Sequence, residues 1–175
     1  MAFGDARGSW SKREGWPMQV DRALSKRVAQ RSKARQEQCY HAACYALLDC
    51  SELCVGHYVE GYTVNEAGLI CGHGWVELGN RIVDPTSYER ELAYFSGLRF
   101  SRSQVWEAVT SIPKPDYVRE DLPIFYRFGW GGCDSPEMMQ AWASARAFSA
   151  AQRRRNAGTS PLGSDTGSGQ QNAAS

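Results

Sequence analysis

Apolar and polar positions follow no period over the first twenty residues, where Gly, Trp and charged side chains are mixed. From Val20 to Lys33 the pattern changes. Val20, Ala23, Leu24 and Val28 recur at helical spacing and predict a short basic amphipathic helix. The run from Cys39 to Leu48 is rich in Ala and Leu, and no Gly or Pro interrupts the chain from Gln36 to Val55, so a second helix is expected there. After Gly56 the residues Tyr58 to Val64 read as a strand. Gly68, Gly72 and Gly74 punctuate the next stretch of chain. His73 to Leu78 predicts a second strand and Arg81 to Asp84 a third, stopped by Pro85, with Gly79-Asn80 as the two-residue turn of a hairpin. Residues 90–111 are mixed, with a helix expected from Ser103 to Val109. Residues 113–132 carry three prolines and several aromatics and read as irregular. Ser135 as N-cap and Pro136 at the first helical position open a last helix to about Arg155. Asn156 to Ser175 is rich in Gly, Ser, Ala, Asn and Gln without aromatics, a composition expected to be disordered.

The chain has 175 residues, within the range of one domain, and its 42% apolar content suffices for one core. The elements divide it into an irregular segment 1–19, a single domain 20–150 that begins with the basic helix, and a basic, then Gly/Ser-rich tail 151–175. Charge follows the same division. Residues 1–35 carry nine Lys/Arg against three Asp/Glu, whereas residues 36–150 carry eight against fifteen. Basic ends on an acidic body permit contact with an acidic surface. No aromatic residues interleave with the basic ones at 22–35, which argues against nucleic acid as a partner. Residues 1–20 lack the apolar stretch of a signal peptide, and no run is apolar enough to span a membrane. Six cysteines then imply free thiols in a reducing compartment, and the cytoplasm is the expected location.

Three local patterns carry chemistry. Gln36-Glu37-Gln38-Cys39 opens the Ala-rich helix, His73 opens a strand 34 residues later, and Asp84 closes the next strand 11 residues beyond. A free thiol ionises near pH 8.5, roughly, and is mostly protonated at neutral pH. The unpaired N–H groups of a helix start favour the thiolate. An imidazole takes and returns the proton, and a carboxylate on its far nitrogen orients it. Cys39, His73 and Asp84 are therefore the candidate nucleophile, base and orienting acid. The Cys39 N–H, with the side-chain amide of Gln36 or Gln38, is the candidate oxyanion donor.

Those residues resemble the transglutaminase-like superfamily. The resemblance rests on Gln38-Cys39-Tyr40-His41-Ala42-Ala43, Gly56 to Tyr62, His73-Gly74-Trp75-Val76-Glu77 and Asp84-Pro85-Thr86, in order over residues 36–88. Glu37 and Gly74 stand where the family usually carries Gly and Ala, and no Trp precedes the Asp strand. The resemblance implies an α+β fold, with a catalytic helix packed on a small antiparallel β-sheet in the papain and transglutaminase manner. It also implies a Cys–His–Asp thiol enzyme that hydrolyses or transfers at an amide carbonyl through a thioester. The substrate would be amide- or peptide-containing, a protein among the options, and no metal or organic cofactor is expected.

Competing assignments come from the same residues. His41 is close to Cys39 in sequence, but positions i and i+2 face different sides of a helix. Cys44, Cys50, Cys54 and Cys133 are expected as small buried apolar residues. Cys71 is placed near the cleft and Trp75 on its wall. The Cys-rich stretch also admits a zinc-stabilised interaction domain, although no C-x2-C pair occurs. A relative that keeps the fold as a binding module without activity is the other alternative.

Overall fold

The structure, a computed structural model, describes residues 18–35, 37–90, 92–110, 123–124 and 134–158. Its strands are β1 (Gln19–Val20), β2 (His57–Asn65), β3 (Ile70–Leu78), β4 (Arg81–Val83) and β5 (Leu92–Ser101). Its helices are α1 (Arg22–Ser32), α2 (Cys39–Asp49), α3 (Arg102–Thr110) and α4 (Pro136–Gly158), with a 3-10 turn at Ser51–Leu53. The fold is α+β. The strands form one five-stranded sheet in the order β1-β4-β3-β2-β5.

The sheet is mixed where an antiparallel one is expected. Its β2, β3, β4 and β5 pair antiparallel, but β1 runs parallel to β4, with Gln19 opposite Arg81 and Val20 opposite Ile82. Sixty residues of chain separate that pair, and only a long connection allows strands to run the same way. The β3–β4 hairpin turns on Gly79-Asn80 as expected. Gly79 has φ +62, which suits Gly at the first position of a two-residue turn.

Alternation along the strands sorts side chains onto two faces. Tyr58, Val76, Val83 and Phe100 share one core with Leu24 and Val28 of α1, Ala43 and Leu47 of α2, and Val105 and Ala108 of α3. Val59, Trp75 and Ile82 form a smaller cluster on the opposite face, with Met18, Val20 and Tyr94 packed against it. Along the β2 and β5 end, α4 lays Trp142 against Tyr62 and Phe148 against Phe95. A bulge at Glu60/Gly61 makes room for this contact. Gly97 is the extra residue on β5, and a Cβ there would overlap Met138 Sδ.

Several boundaries differ from the pattern reading. The second helix ends at Asp49, because Cys50 is extended at φ −98, ψ 116. The pattern of 90–111 hides a full strand, β5, since its residues are mostly half-buried and alternate weakly. The last helix passes residue 150 and the expected disorder point at Asn156, because its end is tied to the β2–β3 loop. Ser149 Oγ, Arg153 Nε and Arg153 Nη2 all donate to Gly68 O, and Asn156 donates to Glu66 O. Residues 1–17, most of the irregular segment 113–132, and residues 159–175 lie outside the described residues. Among the described residues no helix is long and apolar enough to cross a membrane.

Candidate active site

Cys39 is the first residue of α2, and Gln38 is its N-cap. The first intrahelical bond runs from Ala42 N–H to Gln38 O, so the N–H groups of Cys39, Tyr40 and His41 have no acceptor in the helix. The thiol is half-buried. What brings it to β3 is the absence of side chains at two positions. A Cβ on Gly74 would lie 3.1 Å from Tyr40 Cα, and one on Gly72 would lie 2.7 Å from Tyr40 Oη. Gly74 is thus required by the close approach of α2.

His73 sits between those two glycines and is buried. Its Nε2 lies 2.7 Å from Asp84 Oδ2, and its ring also hydrogen-bonds the Cys39 side chain. With Nε2 engaged by Asp84, the thiol is served by Nδ1. Burial works against protonation of this imidazole, but the hydrogen bonds and charges of Asp84 and Cys39 outweigh it and raise the His73 pKa to about 10. That shift favours the protonated ring, which can then serve as a proton donor.

Asp84 follows β4 directly and is fully buried. Burial pushes its pKa up, and the His73 cation, the Thr86 N–H and the Tyr94 hydroxyl reverse that and hold it low. Every lone pair has a use. Oδ1 accepts from Thr86 N–H and Oγ1, both at 2.9 Å, and from Ser87 N–H at 3.0 Å, while Oδ2 accepts from Tyr94 Oη at 2.8 Å besides His73. The Asp84 backbone N–H donates to Ser25 Oγ of α1 at 3.0 Å. A short side chain bonded to N–H groups two and three residues on is the turn chemistry of Asp before Pro, and here the same turn aims the carboxylate at the imidazole.

The sequence-derived candidates divide clearly. The fold brings Cys39, His73 and Asp84 together. Gln38 stands beside Cys39 with no side-chain bond to the helix end, and Gln36 lies outside the described residues. Trp75 does not line an open cleft. It is fully enclosed among Val59, Ile82 and Tyr94, and its ring stacks on His73 at 6.2 Å between centroids, backing the base from inside. His41 packs on Tyr45 at 4.4 Å. Cys44 and Cys50 are buried as expected, and Cys133 lies outside the described residues. Cys54 is exposed, which corrects the buried reading, because it falls just after the 3-10 turn rather than on the packed face of α2. Cys71 is exposed two residues before His73. Among the described residues no group of three His, Cys, Asp or Glu side chains is placed to hold a metal ion.

Three further groups are not evident from the motifs. Tyr94 and Ser25 reach Asp84 from distant elements, and no local pattern marks them. Glu60 is fully buried behind α2, where its Oε1 accepts from Tyr58 Oη at 2.7 Å and also from Ile124 N–H. Alternation with Tyr58 and Tyr62 is the available signal, since it places an acid on the inward face of β2. Glu77 plays a comparable part on the other face, accepting from Ser96 Oγ and pairing with Arg99 Nε of β5.

Comparisons of the chain with protein-family models, with curated proteins and with solved structures return no match.

Proposed function

We propose that this chain is a cysteine-dependent amide hydrolase, with Cys39 as nucleophile, His73 as acid and base, and Asp84 as orienting carboxylate, arranged in the papain and transglutaminase manner. The observation that carries the reading is the position of His73: one ring nitrogen on a fully bonded carboxylate, the other on a thiol at a helix start. The Cys39 thiol passes its proton to His73, whose raised pKa favours holding it, and the thiolate and imidazolium so formed start the reaction.

The Cys39 sulfur bonds to the carbonyl carbon, and the carbonyl electron pair moves to oxygen. The N–H of Cys39, which has no acceptor within the helix, and the Gln38 amide are the candidate donors to that oxyanion. As the tetrahedral centre collapses, the C–N bond breaks and the His73 proton passes to the departing amine, leaving a thioester. Neutral His73 then takes a proton from water, whose oxygen bonds to the acyl carbon. The S–C bond breaks, and thiolate and imidazolium are restored. An amine in place of water gives transfer instead of hydrolysis. Water is the favoured acceptor, because transfer requires a site closed to it and Cys39 is half open to solvent.

The test is alkylation of Cys39 by iodoacetamide across pH, in the wild type and in His73→Ala, read by peptide mass spectrometry. Rapid labelling below pH 7 that is lost in the variant supports the pair. Matching slow profiles would leave the chain as a binding module without activity.

A further inference from the structure

We propose that the substrate amide carries an aromatic or similarly flat apolar group, held in a groove between α2 and α4 that begins beside Cys39; the inference rests on Cys39 being the nucleophile. Alternation along β2 sets the floor of the groove. Tyr58 joins the core under α2, so Tyr62, four residues on, points to the same side of the sheet. Tyr62 stands directly opposite Gly72 on β3 and opposite Phe95 on β5. Both helices lie on this side, α2 over β3 and α4 over β2 and β5.

Three rings cross from one helix to the other. Tyr40, the residue after Cys39, runs along β3 with Cδ1 against Gly74 and Oη against Gly72. Tyr62 lies on the next strand, level with Gly72. Trp142 of α4 meets the Tyr62 ring at 5.0 Å between centroids. Met139, three residues before Trp142, shares its side of the helix. The row is open to solvent. Met139 is 60% and Trp142 42% exposed, Gly72 is exposed, and Tyr40 and Tyr62 are half-buried. Gly72 immediately precedes His73, so the open floor adjoins the base as well as the nucleophile.

Large apolar side chains exposed singly are ordinary, but a contiguous row of them beside a reactive centre marks a ligand surface. The chemistry of the row selects the occupant. Tyr40, Tyr62, Trp142 and Met139 offer aromatic faces and a thioether, which pack on flat apolar groups. None of them carries a charge to reward an ionised substituent. An apolar group laid over Gly72 removes the exposed parts of Trp142 and Met139 from water, whereas a small polar amide leaves them wet.

The experiment measures alkylation of Cys39 in the full chain by N-benzyl iodoacetamide and by N-hydroxyethyl iodoacetamide, each rate divided by that with free cysteine. The groove predicts that the benzyl probe is favoured on the order of tenfold, the worth of one aromatic contact. Trp142→Ala should bring the ratio of the two towards one, and Trp142→Phe should keep most of it, with melting points recorded for both. A wild-type ratio near one, or a ratio unchanged by Trp142→Ala, overturns the groove and leaves the nucleophile standing. Self-association of the wild type in sedimentation would then assign the row to a second copy of the chain. Slow, His73-independent labelling by both probes overturns groove and nucleophile together.

Discussion

Tyr94 and His73 share one oxygen. The Tyr94 hydroxyl donates to Asp84 Oδ2 at 2.8 Å, and His73 Nε2 meets the same atom at 2.7 Å. The Tyr94 ring also flanks the imidazole, at 6.3 Å between centroids. Burial and the adjacent Asp84 charge push the Tyr94 pKa up, so the hydroxyl keeps its proton and remains a donor at any working pH.

Tyr94→Phe removes that donor while keeping the ring. Asp84 loses one of the bonds that hold its pKa low, so the acid limb of Cys39 alkylation should move to higher pH. The rate at neutral pH should fall about tenfold, roughly the worth of one charge-assisted hydrogen bond. A melting point near that of the wild type would separate this from unfolding.

Gly74→Ala tests the close approach of α2. The new methyl would meet Tyr40 Cα at 3.1 Å and Cδ1 at 2.9 Å, and a backbone atom has little freedom to retreat. Overpacking of this kind costs about 1–3 kcal/mol. The helix start should move off β3, slowing Cys39 alkylation more than the stability loss accounts for. Denaturant titration and alkylation on the same sample give both numbers.

The His73 pKa makes stability depend on pH in a defined direction. It is raised in the fold to about 10 from an ordinary 6.5. The folded state thus binds a proton that the unfolded chain releases. The contribution is complete below about 6.5 and is lost as pH rises through about 10. The wild type should therefore lose its stability advantage over His73→Gln between those limits, followed by urea unfolding at pH 6, 8 and 10. Turnover that needs the imidazolium proton should decline over the upper part of the same window.

Ser149→Ala probes the far end of the domain. Ser149 is buried and donates to Gly68 O at 2.6 Å, an oxygen also bonded by Arg153. Loss of the hydroxyl should cost about 1 kcal/mol and leave Cys39 alkylation unchanged. Ending the chain after residue 150 removes Arg153 and Asn156 as well, and should lower the melting point further.

The hairpin of β3 and β4 is legible in the sequence because alternation, the Gly79-Asn80 turn and Pro85 all act within a dozen residues. The start of α2 is legible for the same reason. Local chemistry does not report partners from elsewhere in the chain. β5 is hidden because a strand with half-buried residues on both faces carries no strong period. Tyr94 and Ser25 are hidden because their role exists only once β5 and α1 lie beside Asp84. Trp75 reads as a wall from its nearness to His73 in sequence, but neighbours two apart on a strand share a face, and this face is closed. The end of α4 shows the reverse case, polar residues of an expected tail that gain partners on the β2–β3 loop.

Ser25 is fully buried on α1 and receives the N–H of Asp84. The solvent-facing residues of that helix, such as Lys26 and Arg27, are exposed and free to drift between sequences. Its phase is not. One residue inserted between Val20 and Ser25 would turn the serine by about 100° about the helix axis, away from the acid it supports. Relatives of this chain should therefore tolerate almost any change of residue on the outer face of α1, yet no change in its length ahead of the serine.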